Sequence, residues 1–313
     1  MNGEKPSIVC RTVKCSLTVV SILMAVNAQA ASLECSDWQN KHPNWIWCDD
    51  FEDNAQLEES YFDLNRADGR LTISSMSAFG GESALRSEWT TDASEFGGVK
   101  LSFGRTPVSP KRYTDTDFDE IYWRFYTMID SRWVGPAEKT SRITIFSGSN
   151  WSKAMIGHVW WGSDNNLTFS IDPASGVAAD LSSTAPITTR YNDFSNLRWL
   201  GLDDGTSAVF SETYRERWVC VESHVKLNTP GQADGMFDLW VDGSLEAQRT
   251  QLNWRSSYTG YGLNAIFLEN YSTDSPAQNQ ARYFDNFVVS TERIGCEGDA
   301  PVGPGNVIKV FGD

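Results

Sequence analysis

The sequence predicts an all-β protein, an antiparallel sandwich or barrel, and three observations carry that prediction. Apolar and polar residues alternate with a period of two over many short runs, and a strand sends successive side chains to opposite faces. The runs are rich in Val, Ile, Phe, Tyr and Trp and are bounded by Gly, Asn, Asp or Pro, the composition of strands and their turns. No segment holds a helical period between caps, so the strands are not separated by the helices that a parallel sheet needs.

The first residues stand outside that fold. Lys5, Arg11 and Lys14 flank the approach to an apolar run, residues 16–26, that is too short to span a bilayer as a stable helix. Ala28 and Ala30 then offer small residues for cleavage. Residues 1–30 read as a secretory signal peptide, which places the protein outside the cytoplasm, secreted or periplasmic. No later run is long and apolar enough to cross a membrane.

Residues 31–297 then read as one large β domain. Strands are expected at EIYWRFYTMID (120–130), SRITIFSG (141–148), AMIGHVWWG (154–162), NLTFSID (166–172), WVCVESHVKLN (218–228), MFDLWVDG (236–243), NAIFLENY (264–271) and RYFDNFVVS (282–290). Residues 174–213 are weakly patterned and read as long loops over one end of the sheets, where function often resides. Pro230 and Gly231 break a strand, and Asp234–Gly235 and Asp242–Gly243 mark turns. Between those turns Phe237, Leu239 and Val241 share one face, and Asp238 and Trp240 the other. Residues 298–313, rich in Gly and Pro, read as a flexible tail.

Charge narrows the partners. The chain carries −15, and removing a leader of net +2 (Lys5, Arg11 and Lys14 against Glu4) takes it to −17. That net charge opposes bulk attraction to nucleic acid or to an anionic membrane. An acidic ligand must be met by a local basic patch. Cys35, Cys48, Cys220 and Cys296 remain after the leader, and in an oxidising compartment they make two disulfides. Three connectivities are open. The favoured one joins Cys35 to Cys48 across a short N-terminal loop and Cys220 to Cys296, tying the C-terminus to a strand. Asn150, Asn166 and Asn270 begin Asn-x-Ser/Thr triplets.

In 219–226 the residues Cys220, Glu222, His224 and Lys226 alternate with Val219, Val221 and Val225. This stretch runs on through the hairpin to Gly243 as W-x-C-V-E-x-H-V-K-L-N-T-P-G-x-x-D-G-x-F-x-L-W-V-D-G, and the chain closes with Y-F-D-N-F-V-V-S-T-E-R-I-G (283–295). With C-D-D-F-E (48–52) and G-G-E-S-A-L-R (80–86) these resemble the concanavalin A-like jelly rolls of secreted polysaccharide lyases, alginate and glucuronan lyases among them, and of laminin-G-like domains. The resemblance covers roughly Cys35 to Cys296. It implies two stacked antiparallel sheets with a groove on a concave face. Those lyases carry a Tyr-x-Tyr pair on a central strand, where this chain has Leu167 and Phe169. Tyr122 and Tyr126, flanking Arg124, are the nearest equivalent.

The polar phases supply candidates for such a groove: Tyr122, Arg124 and Tyr126; His158 and Trp160; Glu222, His224 and Lys226; Trp240; Glu269 and Tyr271. If these strands are neighbours, the faces merge into one sugar-binding floor, with Lys139 and Arg142 at its rim. Aromatic rings stack on pyranose faces, and Arg and Lys pair with carboxylates. A uronate lyase must neutralise the carboxylate, remove the C5 proton and protonate the leaving oxygen. Arg124 or Lys226 suits the first role, His158 or His224 the second, and Tyr122 or Tyr126 the third. The ligand is expected to be an acidic polysaccharide, and the protein a monomer with no organic cofactor. Asp50, Glu52 and Asp285 are expected to hold one structural calcium ion, because first and last strands of a jelly roll are often neighbours. Two alternatives keep the same groove: a lectin-like or adhesive module without catalysis, and a glycoside hydrolase using Glu222 with Glu269.

Overall fold

The structure is a computed structural model and describes residue 3 and residues 33–108, 112–161 and 167–297. The expected leader, apart from Gly3, and the expected tail lie outside the described residues. Contacts group the chain into two units, residues 1–30 and 31–313, and every described strand and helix belongs to the second.

Seventeen strands are described, in chain order β1 (Trp45–Asp49), β2 (Asp63–Asn65), β3 (Leu71–Ser74), β4 (Ala84–Trp89), β5 (Glu95–Gly104), β6 (Arg112–Tyr113), β7 (Glu120–Ile129), β8 (Lys139–Phe146), β9 (Lys153–Trp161), β10 (Phe169–Ser175), β11 (Arg198–Trp199), β12 (Asp203–Asp204), β13 (Val219–Lys226), β14 (Gly235–Val241), β15 (Ser244–Leu252), β16 (Ala265–Tyr271) and β17 (Gln280–Ser290). The first sheet runs β15-β14-β13-β7-β17-β4-β3, with β1 on β17, and the second runs β11-β10-β9-β8-β16-β5-β2, with β12 on β10 and β6 on β5. Pairing is antiparallel except for β5 with β6. Sequence neighbours such as β4 and β5 lie in different sheets, so the chain crosses between layers as a jelly roll requires. The first and last strands are neighbours, as expected: Cys48 faces Val288 and Asp49 faces Phe287.

The period of two decides which residues meet. Ile121, Trp123 and Phe125 of β7 and Val219, Val221 and Val225 of β13 point into one apolar core. From the other sheet Ile143 and Ile145 of β8, Val159 of β9, and Ile266 and Leu268 of β16 meet them. Trp123 also donates its indole N–H to Ser141 Oγ at 2.9 Å, a polar tie between the layers. Truncating a fully buried tryptophan of this kind to alanine costs about 3–5 kcal/mol. The hairpin β14–β15 turns on Asp242 and Gly243, both at positive φ (47° and 79°), the geometry of a type I′ turn. Both disulfides form with the favoured pairing, Cys35–Cys48 and Cys220–Cys296.

Two short helices depart from the expected all-strand pattern. Trp38–Lys41 and Asn54–Ser60 span four and seven residues, too few to display a helical period. Asp53 caps the second by accepting the N–H of Ala55 at 2.8 Å. No helix among the described residues is long and apolar enough to cross a membrane.

Candidate functional site

The topology divides the expected groove in two. β7, β13 and β14 belong to the first sheet, whereas β8, β9 and β16 belong to the second. The core lies between them, so their polar phases turn away from each other. The expectation that all these faces merge is corrected on that ground. An acid pair of Glu222 and Glu269 also fails, since the two sit on separate outward faces and cannot flank one glycosidic bond.

On the first sheet the register does bring the expected residues together. Arg124 lies opposite Glu222, Tyr122 opposite His224, and Trp240 beside Glu222. Glu34 and residues 293–297 lie on that face. Arg124 is 1% exposed; it ion-pairs with Glu34 and donates to the carbonyls of Gly295 and Asn286, both at 3.3 Å. Glu222, fully buried, accepts the N–H groups of Ile294 (2.7 Å) and Gly295 (3.2 Å). The Tyr126 hydroxyl accepts the N–H of Glu297, and its ring stacks on Phe79 at 3.5 Å. His224 is held between Asp238 (2.7 Å) and Glu120 (2.9 Å) and stacks on Tyr122. Burial pushes the phenols of Tyr122 and Tyr126 up to about 12. Trp240 lies under the Arg293 guanidinium at 4.5 Å. Lys226 is exposed, 3.8 Å from Glu120. The Cys220–Cys296 bond fastens the C-terminal segment over these groups.

The outward face of the second sheet is differently equipped. Arg142 of β8 lies opposite His158 of β9 and Phe267 of β16, while Lys139 lies opposite Trp160 and Tyr271. Cross-strand neighbours have Cβ atoms about 5 Å apart, so these side chains form one surface. Arg142 ion-pairs with Glu269 at 2.5 Å and donates to the Tyr191 hydroxyl and to Asn192 Oδ1. The Lys139 ammonium sits over the Tyr271 ring at 4.1 Å. Beside them a cleft of about 230 Å³ is lined by Lys100, Lys139, Tyr191, Asn192, Glu269 and Tyr271, among others. Gly98 lets the floor close up, since a Cβ there would meet Leu268 O at 2.5 Å.

Electrostatics distinguish the groups on this face. Burial, with Arg142 nearby, holds His158 well below the usual imidazole range, so the ring is neutral at pH 7; its Nδ1 lies 3.1 Å from Asp172 O. Burial pushes Tyr191 up to about 12, against the opposing pull of Arg142, and keeps its hydroxyl protonated. Burial also lowers Lys139, and lowers Lys153 strongly with Arg142 adding to the effect. The Lys153 amine has no hydrogen-bond partner among the described residues and lies 4.3 Å from the Tyr191 ring centre. Asp172, raised by burial to about 6, stands on β10 beside His158. It lies three strands from Glu269, about 14 Å at normal strand spacing, too far for a carboxylate pair of a glycosidase.

Lys100, Lys153, Asp172, Tyr191, Asn192 and Phe194 join the site without standing out in the sequence. Tyr191, Asn192 and Phe194 come from the aperiodic loop 174–213, where no phase points anywhere. Lys153 opens β9 next to a register shift, which breaks the alternation that would mark it. Lys100 lies in GGVKLSFG, a run of ordinary composition whose alternation is nevertheless readable.

The acids expected to bind calcium are near the β1–β17 edge. Glu52 accepts the N–H groups of Glu82 and Ser83, and Asp285 accepts those of Phe79, Gly80 and Asn286. Asp285 is raised to about 7 and Asp50 is raised too, in both cases by burial first, with repulsion from Glu52 adding to it. The neighbouring Asn286 Oδ1 is buried without a hydrogen-bond partner among the described residues. Among the described residues no three His, Cys, Asp or Glu side chains converge closely enough to hold a metal.

No protein-family model matches the chain, and no curated protein matches it in sequence. Solved structures do resemble it. Endo-β-1,4-glucuronan lyase from the fungus Trichoderma reesei superposes with a TM-score of 0.54 at 12% identity, over 79% of this chain and 96% of that one. Alginate lyase vAL-1 from Chlorella virus gives 0.51 at 14%, over 77% and 98%. Alginate lyase from Aplysia kurodai gives 0.51 at 14%, over 79% and 99%. The jelly roll expected from the sequence is therefore present, and this chain has the concanavalin A-like fold of those polysaccharide lyases.

Proposed function

We propose that the protein is a secreted polysaccharide lyase that cleaves a uronate-containing polymer by β-elimination at the outward face of the second sheet. One observation carries the reading: in a chain of net charge −15, Lys139, Arg142 and Lys153 gather around a protonated phenol and a neutral imidazole. Lys139 and Arg142 would neutralise the substrate carboxylate and so acidify the C5 proton. His158, kept neutral by burial, would take that proton. Tyr191, kept protonated, would supply one to the leaving oxygen. The likeness of fold to glucuronan and alginate lyases supports the same class. On this reading Arg124, Tyr126, His224 and Lys226 serve the first-sheet face on which residues 293–297 lie and take no part in chemistry.

The test is formation of the unsaturated, ultraviolet-absorbing product from alginate, glucuronan, pectate and glycosaminoglycans. Tyr191→Phe and Lys139→Ala are expected to lower the rate by about 10²-fold or more, and His224→Ala to leave it within a few-fold. Loss in His224→Ala with retention in Tyr191→Phe would move the site to the first sheet. Folded protein that binds a polymer without forming the product would make it a lectin-like module, a reading that the exposed rings of Trp199 and Phe194 favour.

For a calcium ion we propose Asp50, Glu52 and Asp285, with Asn286 Oδ1, as ligands that the ion would have to draw together, since as they stand the three carboxylates do not converge closely enough to hold it. Hard oxygens suit that cation. Its part would be structural, joining the first and last strands.

A further inference from the structure

The second sheet carries a file of aromatic rings that continues the cleft. His158 stacks on Trp160 at 4.2 Å with planes 11° apart, Trp199 follows at 6.1 Å from Trp160 and 25°, and Phe194 at 6.5 Å from Trp199 and 18°. Trp199 and Phe194 are each 44% exposed, although large apolar rings gain free energy by burial. Phe194 also lines the cleft, so the file and the cationic pocket are one surface. The positions run across the strands, with Trp199 on β11, Trp160 on β9, Lys139 and Arg142 on β8, Tyr271 on β16 and Lys100 on β5. Five inter-strand steps amount to about 24 Å. The face is thus bipartite: rings at the β11 side, charge at the β8–β5 side.

We infer that this ring file is a binding track for the sugars adjoining the bond to be cleaved, and that it selects uronans linked through equatorial bonds. The inference rests on the proposed function for the site but adds the substrate class. An aromatic face attracts a sugar ring best where the axial C–H groups of alternate ring carbons lie on one side and make a flat apolar surface. A chain of equatorially linked glucuronate or mannuronate presents such faces, with its carboxylates at the edges for Lys139 and Arg142. Polyguluronate and pectate, linked through axial bonds, buckle from ring to ring and do not present such faces in a continuous row. The loop that holds the rings is fixed from within. Asp193 accepts from Thr189 N and Oγ1, Ser195 Oγ and Asn196 Nδ2 at 2.8–3.1 Å, so Phe194 meets the ligand already placed.

The experiment is affinity electrophoresis of the whole secreted protein in gels containing glucuronan, polymannuronate, polyguluronate or pectate. Retardation is expected with the first two. Trp199→Ala and Phe194→Ala are each expected to weaken it about 2- to 10-fold, while Leu245→Ala, an exposed apolar residue on the first sheet, leaves it as in the wild type. Equal retardation by polyguluronate, or ring variants that bind like wild type, would overturn the inference, as would a wild type that none of the four polymers retards. Binding is read independently of turnover. If no unsaturated product forms yet Trp199→Ala still weakens binding, the lyase reading fails and the track stands. If product forms and the ring variants keep the wild-type KM for polymer, the track fails and the lyase reading stands.

Discussion

Two side chains near the cleft show how burial sets the terms for single residues. Arg282 of β17 is fully buried, and its guanidinium donates to five neutral oxygens: Asn270 Oδ1, Thr140 Oγ1 and the carbonyls of Ala137, Lys139 and Glu269. It reaches from the first sheet through the core to the backbone of the two strands that present Lys139 and Glu269 to the cleft. Burial pulls it down to about 9, which still leaves it charged at neutral pH. Arg282→Met would strand those acceptors, and a loss of about 3 kcal/mol or more is expected in urea unfolding. Arg282→Lys keeps the charge without the fork and should also destabilise; a Met variant as stable as wild type would refute this account. Asp172 makes the opposite case. Its carboxyl is raised by burial from 3.8 to about 6. The folded state therefore holds a proton between those values that the unfolded state has released. The resulting penalty is absent below pH 4, grows as pH rises through 6 and is complete above it. Asp172→Asn should raise Tm at pH 8 and change it little at pH 4, and an equal shift at both would rule out titration as the cause.

The elements differ in how they hold function. β8, β9 and β16 are continuous strands whose inward residues are fixed in the core, so Arg142 and His158 inherit rigid positions. The segment that carries Tyr191, Asn192 and Phe194 has only a short 3₁₀ turn of regular structure, Phe194–Asn196. Its order comes from Asp193, whose carboxyl is held down to about 2 by the hydrogen bonds of Asn196, Thr189 and Ser195. Those bonds hold above that value and fail as pH falls through it. Asp193→Ala should therefore loosen the loop without unfolding the sandwich. The expected signs are faster proteolysis within 187–199 and a higher KM for polymer, with Asp193→Asn intermediate in both. A variant with wild-type proteolysis and KM would mean that packing alone orders the loop. On the first sheet the terminal segments play the reverse part. Glu222, Arg124 and Tyr126 bind main-chain groups of residues 294–297, so polar residues that alternate like site residues serve as anchors for a strap.

For the whole molecule, the period of two makes the two layers, the inward faces, the hairpin at Asp242–Gly243 and the outward phase of Arg142, His158 and Glu269 legible in the sequence. The period says that a side chain points outward but not from which sheet. Hence Arg124 and His224 look equivalent to Arg142 and His158, and only the strand order separates them. The loop residues Tyr191 and Asn192 have no phase to read at all. The meeting of β1 with β17 is legible from the fold that the closing motif resembles, and it leads to a property of the molecule as a whole. Asp50, Glu52 and Asp285 lie near that seam without converging; burial first, and then repulsion from Glu52, raises Asp50 and Asp285, and no base is among the causes acting on either. A divalent cation would relieve the repulsion and stabilise the folded state by mass action, about 2.7 kcal/mol at a hundredfold excess over Kd. For a domain of this size that corresponds to about 5–10 °C in Tm. Calcium should raise Tm, a chelator should lower it, and Glu52→Gln should abolish the response while keeping the main-chain hydrogen bonds to Glu82 and Ser83. If chelation leaves Tm unchanged and metal analysis finds no calcium, these carboxylates are caps for the loop at residues 79–83, and the first and last strands are held by their pairing and by the hydrogen bonds of Ser290 and Thr291 to Asn44 O.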